Sequence, residues 1–309
     1  MTTIKSVLAA AGLATAVTVA LAACSSSSSP LSSDSAGESS PSGTITVGSA
    51  NFAENEILAY VYADALKDNG LAVNVKPNIG ARDVYISALK DGSIDLIPEY
   101  SGNLLQYFDS KATAQSADEV YTALKAAVPS GFEVLDKAQA QDADSYNVTS
   151  DFSKKNNVTS LDQLAGLNMS LKVAGPPEFQ TRPYGIPGLK SVYGVSATLV
   201  PINDGGGPST VKALKDGTVQ LADIFSTTPA IKQNGFVTLA DPKHMILAQN
   251  VVPLINTAKA NGKAAEVINK VQANLTTDDL IAMNTKSSVD KDSAEQVAKE
   301  WLADKKLFG

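Results

Sequence analysis

The chain contains one cysteine, one histidine and one tryptophan among its 309 residues, and aromatic residues make up only 6% of it. With Cys24 alone there is no disulfide within the chain and no thiolate metal cluster. His244, beside Pro242 and Lys243, has no second histidine or cysteine with which to form a metal site or a nucleophile–base pair. Carboxylate-only chemistry remains open on composition, but nothing singles out a pair of acids. No catalytic residue, metal or cofactor is therefore expected. A basic excess is also missing: 25 Lys and Arg face 32 Asp and Glu, a formal charge of −7. That balance argues against nucleic acid and against a polybasic lipid-binding surface. The run Gly205-Gly206-Gly207 lacks a following Gly-Lys-Ser/Thr, which excludes a phosphate loop of NTPase type.

Residues 1–23 read as a leader. Lys5 supplies a positive start, Val7 to Ala23 is almost entirely small and apolar, and Leu21-Ala22-Ala23-Cys24 has the form of a bacterial lipoprotein cleavage box. The apolar run is short for a transmembrane helix. Cys24 is the expected lipidation site, which gives a lone cysteine in an exported protein a use. Residues 24–43, rich in serine with proline and glycine, cannot bury enough apolar surface to offset ordering entropy and read as a flexible tether.

The folded part contains one stretch twice. Residues 88–101 read ALKDGSIDLIPEYS and residues 213–226 read ALKDGTVQLADIFS, an offset of 125. Upstream, Asn78-Ile79-Gly80 lies at the same offset from Asn203-Asp204-Gly205. Each copy reads as strand, Gly turn, helix, Gly stop and a second short apolar strand. Gly92 and Gly217 stand where a left-handed helix cap is expected, and Ile94–Ile97 and Val219–Ala222 read as buried strands. Just past them come Tyr100 and Phe225. Ligands of open α/β sheets bind beyond the carboxyl ends of the strands. Two units of this kind predict two α/β lobes facing one ligand.

Taken in order, Thr44–Gly48 opens the first lobe as a strand. The loop Ser49–Glu54 leads into a helix from about 54 to 69, whose apolar Ile57, Leu58, Val61, Ala65 and Leu66 recur at helical spacing. Polar residues 141–146 precede a crossing strand at Asn147–Thr149, and Gln249–Ile255 reads as the return crossing. The expected division is lobe one at 44–145 plus 250–309 and lobe two at 146–249, joined by a hinge.

Four fragments in order carry a family resemblance: Gly48-Ser49-Ala50-Asn51-Phe52-Ala53-Glu54, Glu99-Tyr100-Ser101-Gly102, Pro177-Glu178-Phe179-Gln180-Thr181-Arg182 and Phe225-Ser226-Thr227-Thr228. Over nearly all of residues 44–309 the chain resembles the glycine betaine/choline/carnitine-binding proteins of ABC importers. The resemblance implies a bilobal periplasmic-binding-protein-like fold of type II with a central cleft. It also implies a lipid-anchored, extracytoplasmic monomer that delivers a quaternary-ammonium solute to a permease and its ATPase subunits. By position, Tyr100, Tyr146 and Phe225 would be walls of an aromatic cage. Asp144, in an Asp-x-Tyr arrangement, would supply negative charge. Arg182, four residues after Glu178, would latch the lobes or bind a ligand carboxylate. Asn51 and Phe52, in the first strand-to-helix loop, join Glu178 and Gly206 as expected contacts. The amides near Gly205–Gly207, at a helix start, are further candidates for an anionic end.

The sequence also departs from the family. Ala50 stands for a lysine, Phe225 for a tyrosine and Thr228 for an aspartate. No aromatic residue occurs from Leu199 to Ile224, where a further cage ring is expected. A polyol, a sugar or another hydroxylated ligand therefore remains an alternative, as does a sensing rather than a transport role.

Overall fold

Short apolar strands seed two sheets. The computed structural model describes residues 43–260 and 262–308; the leader and Cys24, with nearly all of the tether, lie outside the described residues. In chain order the strands are β1 (Ile45–Gly48), β2 (Val73–Lys76), β3 (Leu96–Tyr100), β4 (Phe132–Val134), β5 (Tyr146–Val148), β6 (Leu171–Gly175), β7 (Ala197–Pro201), β8 (Leu221–Asp223), β9 (Val237–Thr238) and β10 (Val251–Asn256). They form one sheet in the order β2-β1-β3-β10-β4 and another in the order β7-β6-β8-β5-β9. In the first, β1 runs parallel to β2 and β3, while β10 runs antiparallel to β3 and β4. In the second, β6 runs parallel to β7 and β8, while β5 runs antiparallel to β8 and β9. The two sheets thus correspond strand for strand. The antiparallel member of each is the strand that arrives from the other lobe.

Helices cover both faces of each sheet. The helix Ala53–Asp68 buries Ile57, Leu58, Val61, Tyr62, Ala65 and Leu66 completely, against the first sheet and the carboxyl-terminal helices. Each large aliphatic side chain so buried contributes roughly 1.5–3 kcal/mol. The helix Arg82–Lys90 and the two that follow β3 pack on the opposite face. With both faces covered, β1 and β3 are buried along their whole length. Pro98 of β3 faces Pro253 of β10 at the centre of this sheet. The Pro98 carbonyl accepts Asn55 Nδ2 at 2.9 Å and the Pro253 carbonyl accepts the Leu135 amide at 3.0 Å. Both carbonyls point away from the partner strand, so the proline pair occupies a step where the β3–β10 ladder makes no bond and the missing N–H groups remove none from it.

The internal repeat survives in the backbone. Gly92 and Gly217 have φ of +77° and +71°, the left-handed cap expected of them. The Ile94 amide donates to the Ala88 carbonyl at 3.1 Å, and Val219 does the same to Ala213 at 3.3 Å. Those folded-back amides are why the strands begin two residues later than the apolar runs suggest. Even the side-chain clamp repeats: Asp95 Oδ2 accepts the Thr46 amide at 2.8 Å, and Gln220 Oε1 accepts the Lys172 amide at 3.1 Å.

The chain passes between the sheets after β4 and returns after β9. The two passages lie side by side, the Asp142 amide donating to Gln249 at 3.1 Å and the Val251 amide to Ala140 at 3.0 Å.

Candidate functional site

The carboxyl ends of β1, β3, β6 and β8 converge on a cavity of about 100 Å³ between the lobes. Six aromatic side chains line it. Phe52 follows β1, Tyr85 comes from the helix Arg82–Lys90, and Tyr100 ends β3; Phe179, Tyr184 and Phe225 come from the second lobe. The Phe52 ring stands 6.0 Å from Tyr100 and meets Phe225 edge-on at 5.1 Å, so the lobes touch ring to ring. A polar contact joins them as well, Asn51 Nδ2 donating to Asn203 Oδ1 at 3.3 Å, and Asn103 Nδ2 donates to Asp144 Oδ2, in the passage after β4, at 2.6 Å.

Two guanidinium groups reach the wall, in different states. Arg82 is buried and paired in a fork with Glu99, Nε to Oε1 at 2.8 Å and Nη2 to Oε2 at 2.9 Å. Glu99 also accepts the Tyr85 hydroxyl at 2.6 Å and the Tyr100 amide at 2.9 Å. Burial opposes the Arg82 charge, but the Glu99 carboxylate more than offsets it and holds the group cationic. Arg182 is half-buried and donates to the Tyr184 hydroxyl at 2.8 Å. Among the described residues it forms no ion pair.

Of the residues expected from sequence, Asn51, Phe52, Tyr100, Asp144, Glu178, Arg182 and Phe225 line this cavity. Two do not. Tyr146 is buried in the core of lobe two, its ring 5.8 Å from Phe179 and its hydroxyl donating to the Tyr184 carbonyl at 2.8 Å. It supports the wall from behind, and Tyr184 supplies the ring in its stead. Gly206 packs on the backbone of Ile224, where a Cβ would fall 2.8 Å from the Ile224 Cα; Gly205 lines the cavity instead. Nor are the nearby helix-start amides open to an anion. Asp204 already takes the amides of Gly207, Ser209 and Thr210 at 3.1, 2.7 and 3.2 Å.

Tyr85, Phe179, Tyr184 and Arg82 are wall residues that sequence reasoning did not assign. Phe179 and Arg182 were in one quoted fragment, so their neighbour Tyr184 carried a weak signal. It reaches the cavity because Gly185 turns the chain back onto Phe179. A Cβ on Gly185 would lie 2.1 Å from the Phe179 carbonyl oxygen, so only glycine fits.

Three buried acids lie at the wall, Asp142 lining the cavity and Glu54 and Asp223 outside its lining. Burial pushes the carboxyls of Glu54, Asp142 and Asp223 above the ordinary range; Glu54 adds to the effect on Asp142, and Asp144 to that on Asp223. None of the three forms an ion pair among the described residues. The consequence for stability has a definite sign. Above the ordinary carboxylate pKa of about 4, the folded protein keeps protons that the unfolded chain has released. Stability therefore falls as pH rises from that value through the raised folded values. The thermal midpoint should be higher at pH 5 than at pH 8, and Asp142→Asn with Asp223→Asn should flatten the slope. A midpoint that rises over this interval would contradict the assignment.

Residues 43–304 match the model of the family described as the substrate-binding domain of ABC-type glycine betaine transport systems. The chain is 25% identical over 275 residues to the glycine betaine-binding protein YehZ of Escherichia coli K12, covering 84% of this chain and 90% of that one. It is similar to a crystal structure of a glycine betaine/carnitine/choline ABC transporter, with a TM-score of 0.68 at 18% identity over 86% of this chain and 100% of the other. Lactococcal OpuAC, in its closed-liganded conformation with glycine betaine, gives a TM-score of 0.61 at 16% identity over 87% of this chain and 100% of its own. These structural likenesses establish the bilobal fold.

Proposed function

The chain belongs to the family of substrate-binding domains of ABC-type glycine betaine transport systems, and from that premise we propose that it captures a zwitterionic quaternary amine of the glycine betaine type between its lobes. A binding protein of this family is extracytoplasmic and not an enzyme; it serves a membrane transporter. The observation that carries the ligand reading is one cavity holding six aromatic side chains together with Arg182, a guanidinium in no ion pair among the described residues. A cation over an aromatic face is attracted by roughly 0.5–2 kcal/mol, more when water is excluded. The trimethylammonium end would sit among Phe52, Tyr100 and Phe225, with Asp144 adding negative charge. The carboxylate would take the Arg182 fork.

Ligand held between the lobes would stabilise the closed form that the permease recognises. The paired passages at 135–145 and 239–250 would be the hinge, with lobe one at 44–145 plus 250–309 and lobe two at 146–249. Cys24 would carry the lipid that tethers a monomer to the outer face of the cytoplasmic membrane. Retention of Cys24→Ser on the membrane would count against that tether.

Titration calorimetry of the mature protein tests the ligand. Glycine betaine should bind at micromolar concentration or tighter, and more tightly than choline. Heat from a polyol or sugar, with none from any quaternary amine, would overturn the reading.

A further inference from the structure

Four polar side chains from distant parts of the chain meet behind Phe52, Tyr100 and Phe225. Glu54, in the first turn of the helix Ala53–Asp68, is 4% exposed. Its Oε1 accepts the Tyr100 hydroxyl at 2.7 Å. Its Oε2 accepts Thr227 Oγ1 and Asn284 Nδ2, both at 2.6 Å. Tyr100 and Asn284 belong to lobe one, but Thr227 belongs to lobe two, two residues past Phe225. Thr227 is fixed from its other side, where its amide donates to Asp142 at 3.0 Å. The arrangement is reciprocal: Phe52 meets Phe225 ring to ring, and two residues further along each chain Glu54 meets Thr227, carboxylate to hydroxyl.

We propose that Glu54 is a positioning residue through which the approach of lobe two fixes the Tyr100 wall of the ligand cavity. Glu54 has no cationic partner among the described residues, so neutral donors must satisfy it. Two come from its own lobe in every state. The third arrives only when Thr227 closes onto it. Opening the lobes removes that donor and loosens the carboxylate that holds the Tyr100 hydroxyl; closing completes the set and locks the ring. The inference rests on the reading that the ligand occupies the cavity lined by Tyr100.

A double-mutant cycle on the mature protein tests it, with glycine betaine as the calorimetric probe. Thr227→Val keeps the shape and removes the donor; Tyr100→Phe keeps the ring and removes the hydroxyl. Each should weaken binding by about tenfold, near the upper end for loss of a single hydrogen bond. The double variant should be little weaker than the worse single, because both act through Glu54. Thr227→Ser should restore near-normal affinity. Losses that add, or a Thr227→Val variant that binds like the parent, would overturn the proposal. Small-angle scattering of the same proteins without ligand separates this failure from a failure of the ligand reading. If the parent binds no quaternary amine, Thr227→Val should still shift the protein toward a larger radius of gyration, and an unchanged profile would overturn the coupling by itself.

Discussion

Replacing Arg82 with methionine should destabilise the protein by about 3–5 kcal/mol, the usual result of stranding one partner of a buried ion pair. The stranded partner is Glu99, which is fully buried and accepts from two of the three guanidinium nitrogens, Nε and Nη2. Losing the fork leaves it the Tyr85 hydroxyl and the Tyr100 amide, which soften the loss and favour the lower end of that range. Denaturant unfolding with an unchanged m-value measures it. One control separates charge from packing. Arg82→Met with Glu99→Leu should recover much of the lost stability, since a well-packed apolar pair costs no charge desolvation. An Arg82→Met variant within about 1 kcal/mol of the parent, the ordinary worth of an exposed pair, would show that the pair is effectively solvated.

The placement of Arg82 shows where sequence reading reached its limit. The repeat at an offset of 125 located both sheets, because its signals are local: a Gly that must take positive φ, an apolar run too short for a helix, and an aromatic just past it. Tyr100 and Phe225 were legible for that reason, and both line the cavity. Tyr85 and Arg82 sit on a helix, where an aromatic and a charged residue read equally well as core and surface. Only the burial of Glu99, from a strand 17 residues away in sequence from Arg82, tells them apart. Tyr146 failed for the opposite reason. Its spacing from Asp144 matched a family pattern, but strand β5 turns its side chain into the lobe core, and a Pro/Gly loop with no periodicity delivers Tyr184 in its place. Glu54 and Asn284 could not have been paired from sequence at all: they lie 230 residues apart and meet only because the carboxyl-terminal helices return to lobe one. The thin aromatic content proved no obstacle. The lobes spend a small number of rings on one place.

Arg182→Met should weaken glycine betaine binding by about 2–3 kcal/mol, roughly thirty- to over a hundredfold in Kd, while changing choline affinity little. The argument turns on what Arg182 already holds. Among the described residues its hydrogen-bonded side-chain partner is the Tyr184 hydroxyl, at 2.8 Å; Asp144 adds a favourable charge without forming an ion pair, so the fork is open to an arriving anion. A betaine brings that anion and choline does not, so the two ligands separate the roles of this one side chain. The half-exposed position sets the magnitude at the lower end of the range for truncated charge pairs, because water partly screens it. Arg182→Lys should recover only part of the loss, since an ammonium keeps the charge but not the two-pronged geometry. Equal weakening for both ligands would mean that Arg182 acts by holding Tyr184 in the aromatic wall. In that event Tyr184→Phe, which breaks the same hydrogen bond while keeping the ring, should reproduce the whole effect.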